Sequence, residues 1–497
     1  MKWFEHGGYL ETKLNPLFVK DFASEMSSLR IRTLFVVVPL VSVLLCLMTT
    51  TGDNTSPGSP SDLCGIIIFL SVFVLPSSMR GTMQAEREKG TLDLLNLTGL
   101  SAFRIVFGKW LAVTFGGLLV SFLFLPLLVY EHLQGKSDLL LSLWSVGLSM
   151  LIFSTVTSLI AFGSSSREEV SQNRMSGWFA LILMILGFWM AQAIYSLFSG
   201  SGFSYAWKED GFLPALIIVG VAANACFLEL AASRIASESE NHALRKRLLT
   251  VVSMLVLYPL AAISSQGIAI LVLLAVTFLV LVNAIVAVCE DEQIFANMVK
   301  PFIAKGRLGR IAGRILYPGA TSGVFFALLI LPVSYALTLV SLLFSGIDIT
   351  AISGRLLAIM AGLMGLVFLP TVVSAILPKR ITKIKNALMQ YVGIHAVMLV
   401  IILVSLIVVG EVYNYSSNSN ELLIVTILHP ITTIVYAIDK GSNSTAVVIT
   451  SALQLGFYTL VPLFIASRRL APIREVERRA ELEQQRGKIE SAENQLQ

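Results

Sequence analysis

Charge is what this sequence has least of. Lys, Arg, Asp and Glu together make up 13% of the 497 residues, against about 25% in a soluble domain. With 55% hydrophobic residues and a mean hydropathy of +0.79, the chain cannot cover itself with a polar surface. An ordinary water-soluble globule is excluded. Histidine is scarce too. His6, His132, His242, His395 and His429 are scattered and form neither a metal-ligand spacing nor a hydrolytic constellation. No metal site is expected, and the chain is not expected to be an enzyme. The four cysteines are Cys46, Cys64, Cys226 and Cys289. None forms a CxxC pair. They read as small apolar fillers, with a Cys46–Cys64 disulfide across the first external loop left open. A phosphate-binding loop is missing as well. Gly135-Lys136-Ser137 is the only Gly-Lys-Ser, and Tyr130 stands where a P-loop needs glycine. No ATP hydrolysis by that route, no bound cofactor and no nucleic-acid partner are expected.

What is present is a series of long apolar runs. They lie near 33–50, 63–79, 105–130, 139–162, 176–198 and 212–233, then 248–264, 267–289, 318–345, 352–377, 388–411 and 444–467. Each approaches the roughly 20 residues that a helix needs to cross a bilayer. Backbone groups in lipid must bond within their own segment, so these runs are helices. Continuous apolar runs exclude a barrel, whose strands alternate. The first run starts near Leu34 after a charged segment. It has no small-x-small cleavage site and reads as a retained span.

Basic residues orient the runs, because cytoplasmic loops hold the excess of Lys and Arg. With the N-terminus inside and twelve crossings, 32 of the 36 basic residues fall on the inner side. Only Lys136, Lys208, Arg355 and Lys440 fall outside. The fold expected is an all-α polytopic protein of the inner membrane with both termini cytoplasmic. One apolar run, 422–438, contains His429-Pro430 and ends at Asp439-Lys440-Gly441. Counting it as a span would put the basic tail outside. It is read as part of an external re-entrant segment, 412–443; thirteen spans with an external tail is the alternative.

Residues 1–32 form a cytoplasmic connector. Asn15 can cap a helix and Pro16 suits its first position. Phe18, Phe22, Met26 and Leu29 make one apolar stripe, with Lys20, Asp21, Ser24 and Ser28 elsewhere. This predicts an amphipathic helix on the cytoplasmic surface. At the other end, residues 468–497 carry mixed charge, including Glu475 and Arg479 at i, i+4, with no sustained apolar stripe. A solvated helix or frayed tail is expected there.

The segment after the second run carries the functional reading. It is Glu86-Arg87-Glu88-Lys89-Gly90-Thr91-Leu92-Asp93-Leu94-Leu95-Asn96-Leu97-Thr98-Gly99-Leu100-Ser101. Gly90 breaks the chain and Thr91 can cap a short helix. Asp93 puts a negative charge in the first turn, where the helix dipole favours it. Leu92 and Leu95 share one side, Gly99 ends the helix, and Ser101 can cap the next one. A short helix with exposed leucines wants a partner groove or the membrane surface.

The run Glu86-x-Glu88-x-Gly90-Thr91-Leu92-Asp93-x-Leu95, then Leu100-Ser101 and Ile105-Val106-x-Gly108-Lys109, resembles the signature of type-two ABC exporter permeases. Asn15-Pro16 through Arg30-x-Arg32 is similar to that family's connector. The specific match covers about residues 13–115. The six-span pattern extends it over a permease core, 33–247. Gly99 departs from the family, which often has proline there. The resemblance implies a coupling helix near 86–100 seated in a separate ABC ATPase subunit, with ATP and Mg bound by that partner. Glu86, Arg87 and Glu88 would make the polar contact or stabilise the loop behind it. Gly90 and Thr91 would shape the turn, Leu92 and Leu95 would pack, and Asp93 belongs to the same coupling set.

The second region, 248–467, has six further runs. Glu290-Asp291-Glu292 follows its second run, and a basic stretch with Lys300, Lys305, Arg307, Arg310 and Arg314 comes next. The Gly-Thr-Leu core is absent. A degenerate repeat would make one chain a pseudo-dimer, and an unrelated extension would imply a homodimer. The basic stretch is read as sitting against lipid headgroups. Two other classes stay open. An ion-coupled transporter needs ionisable groups near the bilayer midplane. Glu229, Arg355 and Glu411 lie near span ends, and His395 is read as packed and neutral. Asn224 and Asn283 are read as interhelical hydrogen-bonders. A non-transporting scaffold would not need the 86–101 element.

Overall fold

The structure, a computed structural model, describes residues 16–49, 76–88, 100–135, 139–165, 211–236, 240–347, 353–376, 387–412, 430, 433 and 445–496. Among them 90% are helical and none is in a strand. The chain divides into two compact units, residues 1–237 and 238–497. The first contains α1 (Pro16–Ser27), α2 (Leu29–Thr49), α3 (Ser77–Glu88), α4 (Ala102–Phe122), α5 (Leu125–Leu133), α6 (Leu139–Ser164) and α7 (Phe212–Ile235). The second contains α8 (His242–Ile263), α9 (Gln266–Val288), α10 (Ala296–Ile303), α11 (Gly306–Leu316), α12 (Ala320–Phe344) and α13 (Ser353–Ile376). It continues with α14 (Ala387–Val412), α15 (Thr445–Arg468) and α16 (Ala471–Leu496).

Among the described residues, eight stretches of helix are long and apolar enough to cross a membrane: Ala102–Tyr130, Ser142–Ser164, Phe212–Ile235, His242–Ile263, Gln266–Val288, Ala320–Phe344, Ser353–Ile376 and Val448–Arg468. Their outer surfaces are apolar. Leu255, Leu274, Leu453 and Leu460 are all about two-thirds exposed. Apolar surface in water costs about 25 cal/mol per Å², so a chain with leucine rows facing out on span after span has lipid as its solvent. The protein is an all-α polytopic membrane protein. The runs 33–50 and 388–411 fall on α2 and α14. The run 176–198 and residues 63–75 lie outside the described residues, as does Cys64.

Local chemistry sets the helix ends. Ser101 accepts a hydrogen bond from the Arg104 amide at 3.4 Å and starts α4. Leu123 and Phe124 close tight turns onto Val120 and Ser121, after which Pro126 opens α5 without a donor to satisfy. The Asn241 side chain accepts from the Leu244 amide at 3.1 Å and starts α8. Gly319 holds φ +114° just before α12, a backbone region open to glycine and strained for other residues. Gly323 lets α12 touch α9 backbone to backbone. A Cβ there would stand 1.8 Å from the Ala287 carbonyl oxygen. Small residues at such crossings are how helices approach closely in lipid.

In the first unit α1 packs along α4, and α6 packs against α7, α4 and α3. In the second unit α9 lies between α8 and α12, while α13 pairs with α15. Within the re-entrant stretch only Val412, which ends α14, Pro430 and Thr433 are described. Thr433 hydrogen-bonds the Gln454 side chain at 3.0–3.1 Å, and Pro430 faces Gly365. Gly365 and Gln454 are mid-helix residues of α13 and α15. This part of the stretch is therefore at the depth of the helix centres.

Candidate functional site

Two buried ion clusters stand at helix ends, one in each unit. The first is centred on Lys109, in the second turn of α4. Its side chain is 0% exposed, and its ammonium lies 3.0 Å from Asp21 and 3.3 Å from Glu86. Lys20 adds a contact of 3.1 Å to Glu86 from the outer side. One lysine thus ties three elements: α1 through Asp21, α3 through Glu86, and its own α4. Burial pushes the Glu86 carboxyl up. Lys109 and Lys20 more than offset that, so its pKa lies below the usual carboxylate value.

The connector is amphipathic with an inner edge that the sequence reading placed elsewhere. Phe18, Phe22 and Met26 are half-buried and Leu29 is 74% exposed. The fully buried row is Leu17, Asp21 and Glu25 at i, i+4 spacing. Asp21, expected on the polar side, faces inward because Lys109 is waiting there. Phe18 stacks on Phe22 at 5.6 Å and meets Phe115 of α4 edge-on at 5.7 Å. The stripe thus packs against a protein helix as well.

The second cluster is centred on Glu290, two residues past α9. Lys246 reaches one carboxylate oxygen at 2.7 Å, and Arg247 reaches the other at 2.6 Å. The Gly319 amide donates to that second oxygen at 3.2 Å. The Arg247 side chain is 1% exposed and also donates to the Ile315 and Tyr317 carbonyls at 2.6 and 2.7 Å. Burial raises the Glu290 pKa. Lys246 and Arg247 outweigh it, and the carboxyl is held below its usual value. Glu292 accepts the Thr321 hydroxyl at 2.5 Å. The acidic triplet is thus an internal tie between α8, α9 and α12.

The basic stretch folds into α10 and α11, and the C-terminal helix α16 docks on it. This corrects the expectation of a solvated or frayed tail. Val299, Ile303, Tyr317, Leu470, Ile473 and Ala480 form one buried cluster. Arg314 grips Glu477 with two bonds, 3.2 and 2.8 Å. Arg310 pairs with Glu481 at 2.6 Å and Lys300 with Glu483 at 2.8 Å. These bases, expected against lipid headgroups, face the tail. The Glu475–Arg479 pair is present at 3.1 Å on the exposed side. The buried row of α16 mixes Leu470, Ile473, Glu477 and Ala480, so apolar spacing alone does not mark it. The paired bond of Arg314 holds its pKa above the ordinary guanidinium value. Reversing Glu477 to lysine is expected to weaken the docking by about 1.5–3 kcal/mol, the range for a charged hydrogen bond. Limited trypsin digestion of the tail should quicken several-fold, and raised salt should quicken it in the unaltered protein too. Equal digestion of the two proteins would show that the clasp contributes nothing.

Of the residues assigned to ATPase coupling, Glu86 is buried in the Lys109 cluster. Arg87 and Glu88 end α3. Gly90, Thr91, Leu92, Asp93 and Leu95 lie outside the described residues. Sequence reasoning passed over Lys109 and Arg247 as site centres. The available signal was a basic residue inside an apolar helix, where a charge is retained only if paired. Asn224 donates to Ser154 Oγ on α6 at 3.0 Å, an interhelical bond as expected. Asn283 donates to the Leu279 carbonyl of its own helix at 2.9 Å. His395 packs on Tyr391 at 4.8 Å and bonds the Leu366 carbonyl at 2.9 Å, as a packed histidine does. No group of three metal-binding side chains occurs among the described residues. No family model, no curated protein and no solved structure matches this chain.

Proposed function

We propose that this chain is the permease subunit of an ABC exporter of the inner membrane. It has twelve spans and cytoplasmic ends, and it draws on ATP and Mg bound by a separate ATPase subunit. The observation that carries the reading is the place of the 86–109 element. The Gly-Thr-Leu-Asp segment connects Glu86 to Lys109, and these two residues form a buried pair that also binds the connector through Asp21. A push on the segment between them would reach α1, α3 and α4 together, because one ammonium group joins all three. A scaffold has no need of such a joint. Asn224 and His395, two of the polar groups within the described helices, are hydrogen-bonded to protein.

The test is the double substitution Glu88→Lys with Leu92→Asp in the full-length protein. ATPase co-purification and transport-linked ATPase activity are expected to fall at least tenfold, with the purified chain still monodisperse. Unchanged co-purification would remove the coupling-helix assignment. An ATPase gene beside this one is the expected genetic setting.

A further inference from the structure

The second unit holds a half-open cavity of about 150 Å³ between the ends of α9, α12, α13, α14 and α15. Its walls are apolar, with Val288, Val324, Ile394 and Ile465 from four helices. Most polar groups around it are already engaged. The Thr321 hydroxyl donates to Glu292, Ser374 to the Thr371 carbonyl, and Tyr391 to the Leu366 carbonyl. Three lining side chains differ. Arg469, Gln390 and Thr371 have no side-chain hydrogen-bond or ion-pair partner among the described residues; Arg469 is exposed and the other two are half-buried. Arg469 and Gln390 offer N–H groups, and a guanidinium always carries its charge. The neighbouring Arg468 is turned away, over the Phe464 ring at 4.4 Å.

An apolar pocket with a few convergent polar groups is the usual form of a small-molecule site. Here the unpaired groups are one cation and two neutral side chains that can donate, and the lining holds no carboxylate, so the complementary head is an anion. The four aliphatic walls suit a saturated chain. The volume admits roughly one benzene-sized group, about six carbons, and the open side leaves a longer chain room to pass out of the cavity.

We propose that this cavity binds an anionic amphiphile, its carboxylate or phosphate held by Arg469 and Gln390 and the first part of its chain packed against Val288, Val324, Ile394 and Ile465. A free fatty acid and an anionic membrane lipid share this chemistry. The site does not depend on ATP coupling and stands whether or not a separate ATPase exists.

The experiment uses the full-length protein in nanodiscs of zwitterionic lipid, labelled with diazirine-bearing palmitic acid or with the matching alcohol. The acid is expected to label residues of the cavity, and the alcohol at least fivefold less. Arg469→Gln should bring acid labelling down to the alcohol level. Val324→Trp, which fills the cavity, should abolish it, and Arg468→Gln should leave it unchanged. Gln390→Leu, a milder change, should lower it several-fold in a chain of unaltered melting temperature. Nanodiscs with phosphatidylglycerol separate the sources. Loss of labelling there supports a lipid ligand, and retained labelling supports the free acid. Equal labelling by acid and alcohol, or full labelling of Val324→Trp, overturns the proposal.

Discussion

Replacing Glu290 by glutamine is expected to destabilise the 238–497 unit by about 3–5 kcal/mol, the usual cost of removing one partner from a buried ion pair. The size follows from what is left behind. Lys246 and Arg247 both point at this carboxylate, and the Arg247 side chain is 1% exposed. Glutamine keeps the volume and one acceptor for the Gly319 amide, so packing is not the variable. The loss is electrostatic: two cations stay near the end of an apolar bundle with no anion. A fall in apparent melting temperature in detergent checks this. The further exchange Arg247→Met in the glutamine chain should recover part of the loss, because it removes an uncompensated charge. If both exchanges melt with the unaltered protein, the cluster is not a structural tie.

The same site sets an acid limit. Folding holds the Glu290 carboxyl below its ordinary value of 4.5, so the folded state favours the ionised form. That contribution is full above the ordinary value and is lost as pH falls through the lowered folded one. Melting temperature measured against pH should therefore drop less steeply on the acid side for Glu290→Gln than for the unaltered chain.

Lys109→Met is the second large change, expected to cost about 3 kcal/mol, at the lower end of the same range. Lys20 remains beside Glu86, which offsets part of the loss. The local effect should exceed the global one. Asp21 would lose the cation that draws it inward, and α1 would loosen from α4. A cysteine in place of Leu17, 5% exposed, reports this directly. Its maleimide labelling should be slow beside an intact Lys109 and at least tenfold faster beside methionine. Adding Asp21→Asn should restore part of the protection. Labelling that ignores Lys109 would mean that the connector is held by its phenylalanines alone.

These clusters also mark where sequence reasoning stops. The eight candidate span helices among the described residues were legible because their signal is local: some 20 apolar residues in a row suffice, whatever lies elsewhere. The caps at Ser101 and the i, i+4 pair of Glu475 with Arg479 were legible for the same reason, since each involves residues within four positions. The connector was half legible. Its helix and phenylalanines were plain, but Asp21 is attracted inward by a lysine 88 residues away. The C-terminal helix was the least legible, since its buried row includes Glu477, whose partner Arg314 is 163 residues distant.

The sequence by itself determined the solvent of this protein. Scarce charge and repeated apolar runs leave no alternative to lipid, because every span must satisfy its own backbone and expose leucine outward. Only the tertiary structure decided which charges are buried and with whom. Hydropathy is summed along the chain, while an ion pair depends on distance in space. Lys109, Arg247, Glu290 and Glu477 are unremarkable charges in the sequence and the centres of their clusters in the fold, because helices far apart in the chain bring opposite charges within about 3 Å where water is excluded.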